Sequence, residues 1–352
     1  MYTKLLKMNQ ENIDTTAIAE AAKWIKQNEL VAFPTETVYG LGANGLEPDA
    51  AAKIYAAKGR PSDNPLILHI ADMKNLIPLA EEIPETAWKA AKAFWPGPLT
   101  IILKKSAIVP VGTTGGLSTV AIRMPNHPIA LALIRESGCP IAAPSANTSG
   151  RPSPTKAEHV FEDMNGKIPC ILDGGMVGIG IESTIVDFSS ERPMILRPGF
   201  ITPKMLEEVL GIEIGIDPAV TGSPKGKEIV PKAPGMKYKH YAPKAPLFLV
   251  SGEEEAVISY INQQIKKEHL EGRKAGVIAT DETATQYKAD VVLSIGTKEC
   301  DSTIASHLYD VLRRFDHEDV SVIYSQVFES GENGFAIMNR LTKAAGYERI
   351  EV

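Results

Sequence analysis

The sequence predicts two α/β domains: a larger one over residues 1–212, built on a twisted mixed sheet with helices around a concave pocket, and a smaller one over 246–352. Three observations carry this. A chain of 352 residues exceeds what one hydrophobic core usually organises. Short β-branched runs alternate with helical periods on both sides of residue 230. Between them, residues 213–245 drop every period and fill with Gly, Pro and Lys.

In the first domain, strands are expected at 30–34, 65–70, 98–105, 119–125, 140–146, 168–175 and 184–188, each short and flanked by Gly or Pro. Helices are expected at 15–28, 49–57, 84–94, 128–137, 155–163 and 202–211. The last has Thr202 as N-cap, Pro203 in the first turn and Gly211 as its stop. In the second domain, strands at 246–250, 275–279, 290–295 and 320–326 alternate with helices at 253–269, 302–316 and 334–345. Ile304, Leu308, Val311, Leu312 and Phe315 share one helix face, as packing on a sheet requires. The alternation reads as a Rossmann-like parallel α/β unit.

Apolar and charged contents are ordinary for a folded domain, and the net charge of −6 argues against a protein that coats nucleic acid. The opening "MYTKLLKMNQENID" is too polar for a signal peptide and no apolar run reaches spanning length. Cys139, Cys170 and Cys300 form no C-x-x-C pair, which suits reduced thiols in the cytoplasm.

Polar residues gather where the strands of the first domain end, the usual ligand side of an open α/β sheet. In "FPTETVYGLGANG", Gly40, Gly42 and Gly45 imitate a dinucleotide fingerprint, but "TETVY" separates them from the strand, so a glycine turn lining another pocket is expected. "KGRPSDNPLILH" sets Lys58 and Arg60 two apart, then Asn64 and His69; polyphosphate binding and a solvated loop with a core histidine are both open. Arg123 lies inside the apolar strand "STVAIRMP" and needs a partner, either a structural ion pair or an anionic ligand. "APSANTSGRPSPT" offers Ser145, Asn147, Ser149 and Ser153; its likeness to penicillin-binding motifs fails on order and on the missing K-T-G. Ser183, Thr184 and Arg197 follow. Four cations on separate elements (Lys58, Arg60, Arg123, Arg197) suit a nucleotide or other polyanion, and there is no P-loop motif.

The stretch "KAPGMKYKHYAPKAP" is basic and aromatic, carrying Tyr238, His240, Tyr241 and four lysines, which is unusual for a spacer. A plain spacer and a segment that contacts a site are both open here.

"PTETVYGLG", "KGRPSDNPLILH", "AIRMPNHP", "PSANTSG" and "ESTIVD…ILRPG", in this order, resemble the YrdC/YwlC family of threonylcarbamoyl-AMP synthases over almost all of 15–211. "PGMKYKHYAP" and the C-terminal unit look like its two-domain branch, which implies that this linker, with Tyr238, His240 and Tyr241, folds back over the nucleotide as a lid, the alternative being a plain spacer. The resemblance implies a YrdC-like fold for residues 1–212 and a reaction of L-threonine, bicarbonate and ATP that gives threonylcarbamoyl-adenylate and pyrophosphate. The product would pass to a separate transferase that modifies tRNA, so tRNA is met only indirectly, and no membrane is involved. Threonine is implied to lie against Thr37, His69, Arg123, Ala143 and Ser183. ATP is implied to lie against Lys58, Arg60, Asn64, Thr119, Ser145, Ser153, Arg197 and Tyr241, with Lys58, Arg60 and Arg197 stabilising charge in the reaction. Mg²⁺ is expected with ATP; its ligands are unknown, with Glu36, Asp173 and Glu182 as candidates. The alternative is a non-catalytic module that binds double-stranded RNA or a nucleotide. The C-terminal strand ends "IATDETA" and "SIGTKEC" show no convergent catalytic set, which suggests a supporting role.

Overall fold

The computed structural model describes residues 2–222, 233, 240–329 and 331–352. The chain divides into two compact units, residues 1–149 with 153–237, and residues 150–152 with 238–352. The linker expected at 213–245 is therefore divided at 237/238, and the short Gly150–Pro152 segment joins the second unit. Among the lid residues, Lys232, Lys237, Tyr238 and Lys239 lie outside the described residues.

The strands of the first unit are β1 (Lys4–Lys7), β2 (Val31–Phe33), β3 (Gly40–Asn44), β4 (Ile67–His69), β5 (Leu99–Lys104), β6 (Thr119–Arg123), β7 (Ile141–Ala142), β8 (Cys170–Asp173), β9 (Thr184–Asp187), β10 (Met194–Arg197) and β11 (Gly215–Ile216). Its helices are α1 (Thr15–Lys26), α2 (Pro48–Lys58), α3 (Glu85–Phe94), α4 (Pro128–Ser137), α5 (Ala157–Met164), α6 (Pro203–Leu210) and α7 (Pro218–Thr221). The strands form one mixed sheet in the order β1-β8-β2-β3-β7-β4-β6-β5-β9-β10-β11.

Caps explain several boundaries. Asp14 accepts from the backbone N–H groups of Thr16 and Ala17 to start α1, and Thr202 accepts from Met205 to start α6. Gly59, at φ +60°, ends α2 directly after Lys58.

Strand alternation gives the sheet two different faces. Leu68, Leu99, Ile101, Leu103, Val120, Ile122 and Val186 join the main core, where α2, α3, α5 and α6 contribute alanines, isoleucine, valine, methionine and leucines. The intervening residues Ile67, Ile102, Ala121 and Ile185 form a much smaller cluster on the opposite face, with Leu196 and the buried linker residue Ala233. Toward β2 and β8 this face is covered by α1 and α4, which pack on Val31, Phe33, Ile141, Cys170 and Leu172; His69, Arg123 and Arg197 lie on the sparsely covered part beside it.

Only the end of the glycine motif is a turn: Gly45 follows β3 in one, while Gly40 and Gly42 lie within the strand. Gly40–Asn44 is β3 itself, antiparallel to both β2 and β7. A Cβ on Gly42 would stand 2.7 Å from Ile141 and 2.8 Å from Phe33, and one on Gly45 would stand 2.3 Å from Leu68. These glycines let neighbouring strands' side chains cross the sheet, and no phosphate-binding turn is present there. Sequence periodicity also missed β1 and β10, too short to show alternation.

The second unit contains β12 (Leu247–Ser251), α8 (Glu254–Leu270), β13 (Ala275–Ala279), β14 (Val291–Ser294), α9 (Asp301–Phe315), β15 (Val322–Gln326), α10 (Gly334–Ala344) and β16 (Arg349–Glu351). Its strands are all parallel, in the order β14-β13-β15-β12-β16. The five predicted α9 face residues are each at most 3% exposed.

Candidate active site

A row of polar side chains crosses the sparsely covered face at one level. His69 on β4 is the register partner of Arg123 on β6, and Arg123 is the partner of Thr100 on β5. Thr100 pairs with Ile185 on β9, which pairs with Arg197 on β10. Arg197 reaches this face through a register shift: between Ile195 and Arg197 the strand carries one extra residue. Simple alternation would have turned Arg197 toward the helix-covered core with Ile195, so the bulge re-aims it.

Neighbours along the row bond to one another. Arg123, 4% exposed, donates from Nη1 to the Thr37 hydroxyl at 2.8 Å and holds Nη2 2.7 Å from the Glu36 carboxylate. The Thr35 and Thr37 hydroxyls are 2.9 Å apart. Thr100 and Ser183 share a hydroxyl contact of 2.7 Å. Arg197 donates to the Ser183 carbonyl at 3.0 Å and to its hydroxyl at 3.1 Å. Both arginines are thus fixed in planar orientation before any ligand arrives.

His69 is 4% exposed, and its Nδ1 lies 3.1 Å from the Ile67 carbonyl. A carbonyl only accepts, so Nδ1 carries the proton and Nε2 is the acceptor. Burial, reinforced by the Arg123 charge, lowers its pKa to about 3, so the ring is neutral in ordinary buffers. His127, the N-cap of α4, is lowered by burial to about 4.

A second group forms at the end of α2. Lys58, 2% exposed, donates to the carbonyls of Ser145 and Asn147. Ser145 donates to the Asn147 side-chain oxygen, and its backbone bridges to Gly40. Arg60 donates to the carbonyls of Asn64 and Pro65 at 3.2 and 3.1 Å. Backbone bonds lock the supporting loops together: Leu41 to Pro144, Ala146 to Tyr39, Ile179 to Glu36 and Gly180 to Thr37. Lys58 therefore shares one hydrogen-bonded framework with the loop that carries Thr37.

The remaining sequence-selected positions are placed as follows. Ala143 is buried beyond β7 and donates its N–H to Ile67. Thr119 opens β6 on the face of Arg123, half-buried. Ser153 donates to Glu182 at 2.6 Å. Tyr241 belongs to the second unit, where it is 5% exposed, adopts φ +66° and stacks its ring 5.1 Å from Tyr309.

The acids considered for metal are otherwise engaged. Glu36 faces Arg123, Glu182 accepts from Ser153, and Asp173 accepts from the Gly175 N–H at the far end of the sheet. Among the described residues no group of three or more His, Cys, Asp or Glu side chains could hold an ion. Magnesium is commonly held by substrate phosphates plus one or two carboxylates, a set that needs no such group.

Sequence reasoning missed Thr100 and undervalued Glu36. The signal for Thr100 was a single hydroxyl inside the apolar run "LTIILK". For Glu36 it was a carboxylate one residue before Thr37 in a loop otherwise without charge.

Comparison with known proteins agrees with this architecture. Residues 23–199 match the Sua5/YciO/YrdC family described as telomere recombination, and residues 201–346 match the threonylcarbamoyl-AMP synthase C-terminal domain. The threonylcarbamoyl-AMP synthase of Bacillus subtilis is 53% identical over 94% of this chain and 93% of its own length. That of Pyrococcus abyssi is 51% identical over 97% and 98%. The crystal structure of P. abyssi Sua5 complexed with L-threonine superposes with a TM-score of 0.93 at 50% identity, covering 99% of both chains. Among the described residues no helix is long and apolar enough to cross a membrane. With both domain families matched in order and relatives of this identity aligned end to end, the chain belongs to the two-domain threonylcarbamoyl-AMP synthases, enzymes of the nucleotidyltransferase type.

Proposed function

We propose that this chain condenses L-threonine, bicarbonate and ATP into threonylcarbamoyl-adenylate and pyrophosphate, with Arg123 as the anchor of the amino acid. The observation that carries the reading is a guanidinium 4% exposed in mid-strand, held by Thr37 and facing Glu36, on the part of the sheet face that α1 and α4 leave uncovered. The bound L-threonine of the P. abyssi relative supports it.

In this reading Arg123 takes the threonine carboxylate, while Thr37, Ser183 and the Ala143 backbone border the amino acid. His69 accepts the threonine hydroxyl at Nε2, the ring atom that the Ile67 contact leaves as an acceptor. The neutral amine adds to bicarbonate with loss of water, giving a carbamate. A carbamate oxygen then attacks the α-phosphorus as the bond to pyrophosphate breaks. The step needs alignment and charge stabilisation and no protein nucleophile. Lys58, Arg60 and Arg197 supply the charge; Asn64, Thr119, Ser145 and Ser153 border the nucleotide, and Mg²⁺ travels with the phosphates.

Threonylcarbamoyl-adenylate is a mixed anhydride, so excluding water protects it. Ala233, fully buried beside Ile67, Ala121 and Ile185, would help keep water from this face. The product would go to a cytoplasmic transferase acting on tRNA.

The test is pyrophosphate release by the purified chain with ATP and Mg²⁺. Release that requires threonine and bicarbonate together is expected. Release with neither, or none at all alongside nucleotide or RNA binding, would overturn the reading in favour of a binding module.

A further inference from the structure

The parallel sheet of the second unit reverses its direction of growth once. From β12 the chain moves through α8 to β13 and on to β14, then returns through α9 to β15 and through α10 to β16 on the far side of β12. β12 and β15 are hydrogen-bonded neighbours whose onward connections leave in opposite directions. The helices accordingly cover opposite faces. Val257, Ile261 and Ile265 of α8 pack with Ala275 and Val277 of β13. The intervening Gly276 points the other way, where a Cβ would stand 2.4 Å from Phe315 of α9. In open α/β sheets the crevice beyond the carboxyl ends of such a strand pair is where ligands bind.

A cavity of about 210 Å³ lies at that point, between Val250 near the end of β12 with Gly252 just after it and Gln326 at the end of β15 with Phe328 just after it. Gln326 is 8% exposed, and its side-chain oxygen accepts from Thr283 at 3.0 Å and Tyr287 at 3.3 Å. Those two hydroxyls fix the amide so that its NH₂ group faces the cavity, where it donates to no described group. The residue is nine-tenths buried, and this donor is left open toward the cavity for a ligand to meet.

The charges decide what the acceptor is. Lys298 and Glu254 both line the cavity and form an ion pair there. Asp301 is already engaged, taking the Asn333 backbone N–H at 2.6 Å and its side-chain amide at 3.2 Å. Two acids against one base disfavour phosphate or any polyanion, and both helix starts are already neutralised by their own carboxylates. The volume lies below the roughly 300–1,000 Å³ of sites for drug-sized ligands. A small zwitterion satisfies every group. Its carboxylate takes Lys298 and the Gln326 amide, its ammonium takes Glu254, and an aliphatic side chain lies on Val257, Ile304 and Phe328.

We propose that this cavity binds a free α-amino acid with an aliphatic side chain, at a site distinct from the row on the first unit's sheet. The proposal stands independently of the reaction above. The test is calorimetric titration of the full chain with L-leucine, with L-leucine amide and inorganic phosphate as probes lacking one or other charge pattern. L-leucine is expected to bind, leucine amide and phosphate to bind at least tenfold more weakly, and both Lys298→Met and Gln326→Leu to weaken leucine at least tenfold. Both variants are expected to keep the pyrophosphate-release rate of the parent, which also shows that they fold. Absence of leucine binding, binding unchanged in both variants, or tighter binding of phosphate would each overturn the proposal.

Discussion

The two sheets of this protein place polar groups by different devices. In the first unit the groups stand in mid-strand: His69, Arg123, Thr100 and Arg197 face one way because alternation and one bulge put them there. In the second unit they stand at or beyond the strand ends: Gln326 closes β15, while Glu254, Lys298 and Asp301 lie in loops and first helical turns. Mid-strand charges are immobile and must be satisfied in advance by neighbours, as Arg123 is by Thr37 and Glu36. Strand-end groups are cheaper to place and easier to rearrange, as a lysine and glutamate that close on each other show.

The sharpest way to break the comparison is Arg123→Met. It removes the anchor and leaves Glu36 buried without its cation, so threonine-dependent pyrophosphate release should fall by about 10³-fold or more. Removing one partner of a buried pair typically costs about 3–5 kcal/mol, which urea unfolding followed by fluorescence would show. A variant that keeps near-parental release would remove Arg123 from the site.

A pH series tests the same face without mutation. His69 and His127 are held neutral by burial, with pKa values of about 3 and about 4 in the fold. The unfolded chain takes up these protons near pH 6.5, so the stabilisation is complete above 6.5 and is lost as pH falls toward those folded values. Each histidine contributes at most about 1.4 kcal/mol per pH unit over that span. Unfolding midpoints should therefore drop between pH 6.5 and 5, before most carboxylates titrate, and His69→Gln should reduce the slope. A slope unchanged by that substitution would show that His69 is not held neutral.

The smallest effect is expected from Thr100→Val, which removes the hydroxyl bridging toward Ser183 and Arg197. Stability should change by about 0.5–1.5 kcal/mol, with an activity loss nearer tenfold than a thousandfold. An effect as large as that of Arg123→Met would make Thr100 a direct ligand contact.

The same difference in placement explains what was legible in the sequence. Arg123 inside "TVAIRM" and His69 inside "LILHI" interrupt apolar runs, so each demands an explanation on its own. Helices with a Thr or Asp cap and a Gly stop, such as α6, were equally plain because each boundary has a local cause. Arg197 was legible as a cation but not as a member of the row, because no pattern in "MILRPG" announces the extra residue that turns it. β3 was misread since its glycines look like a turn until the side chains of Phe33 and Ile141 are seen to cross it. Gln326 and Lys298 gave no signal at all: a polar residue at a strand end resembles any loop residue, and only the return of the chain to β15 brings them together.

Gly199, two residues after Arg197, packs against the backbone of residues 182–184. A Cβ there would lie 2.4 Å from the Thr184 nitrogen and 2.7 Å from the Ser183 carbonyl carbon. The backbone leaving Arg197 therefore rests directly on the backbone that presents Ser183, with no side chain between them to absorb a shift. Any larger residue at this position would lever Arg197 away from its serine while leaving both strands paired. Residues 182–184 and 197–199, although far apart in the chain, thus constitute a single heritable block, and neither half is free to drift alone.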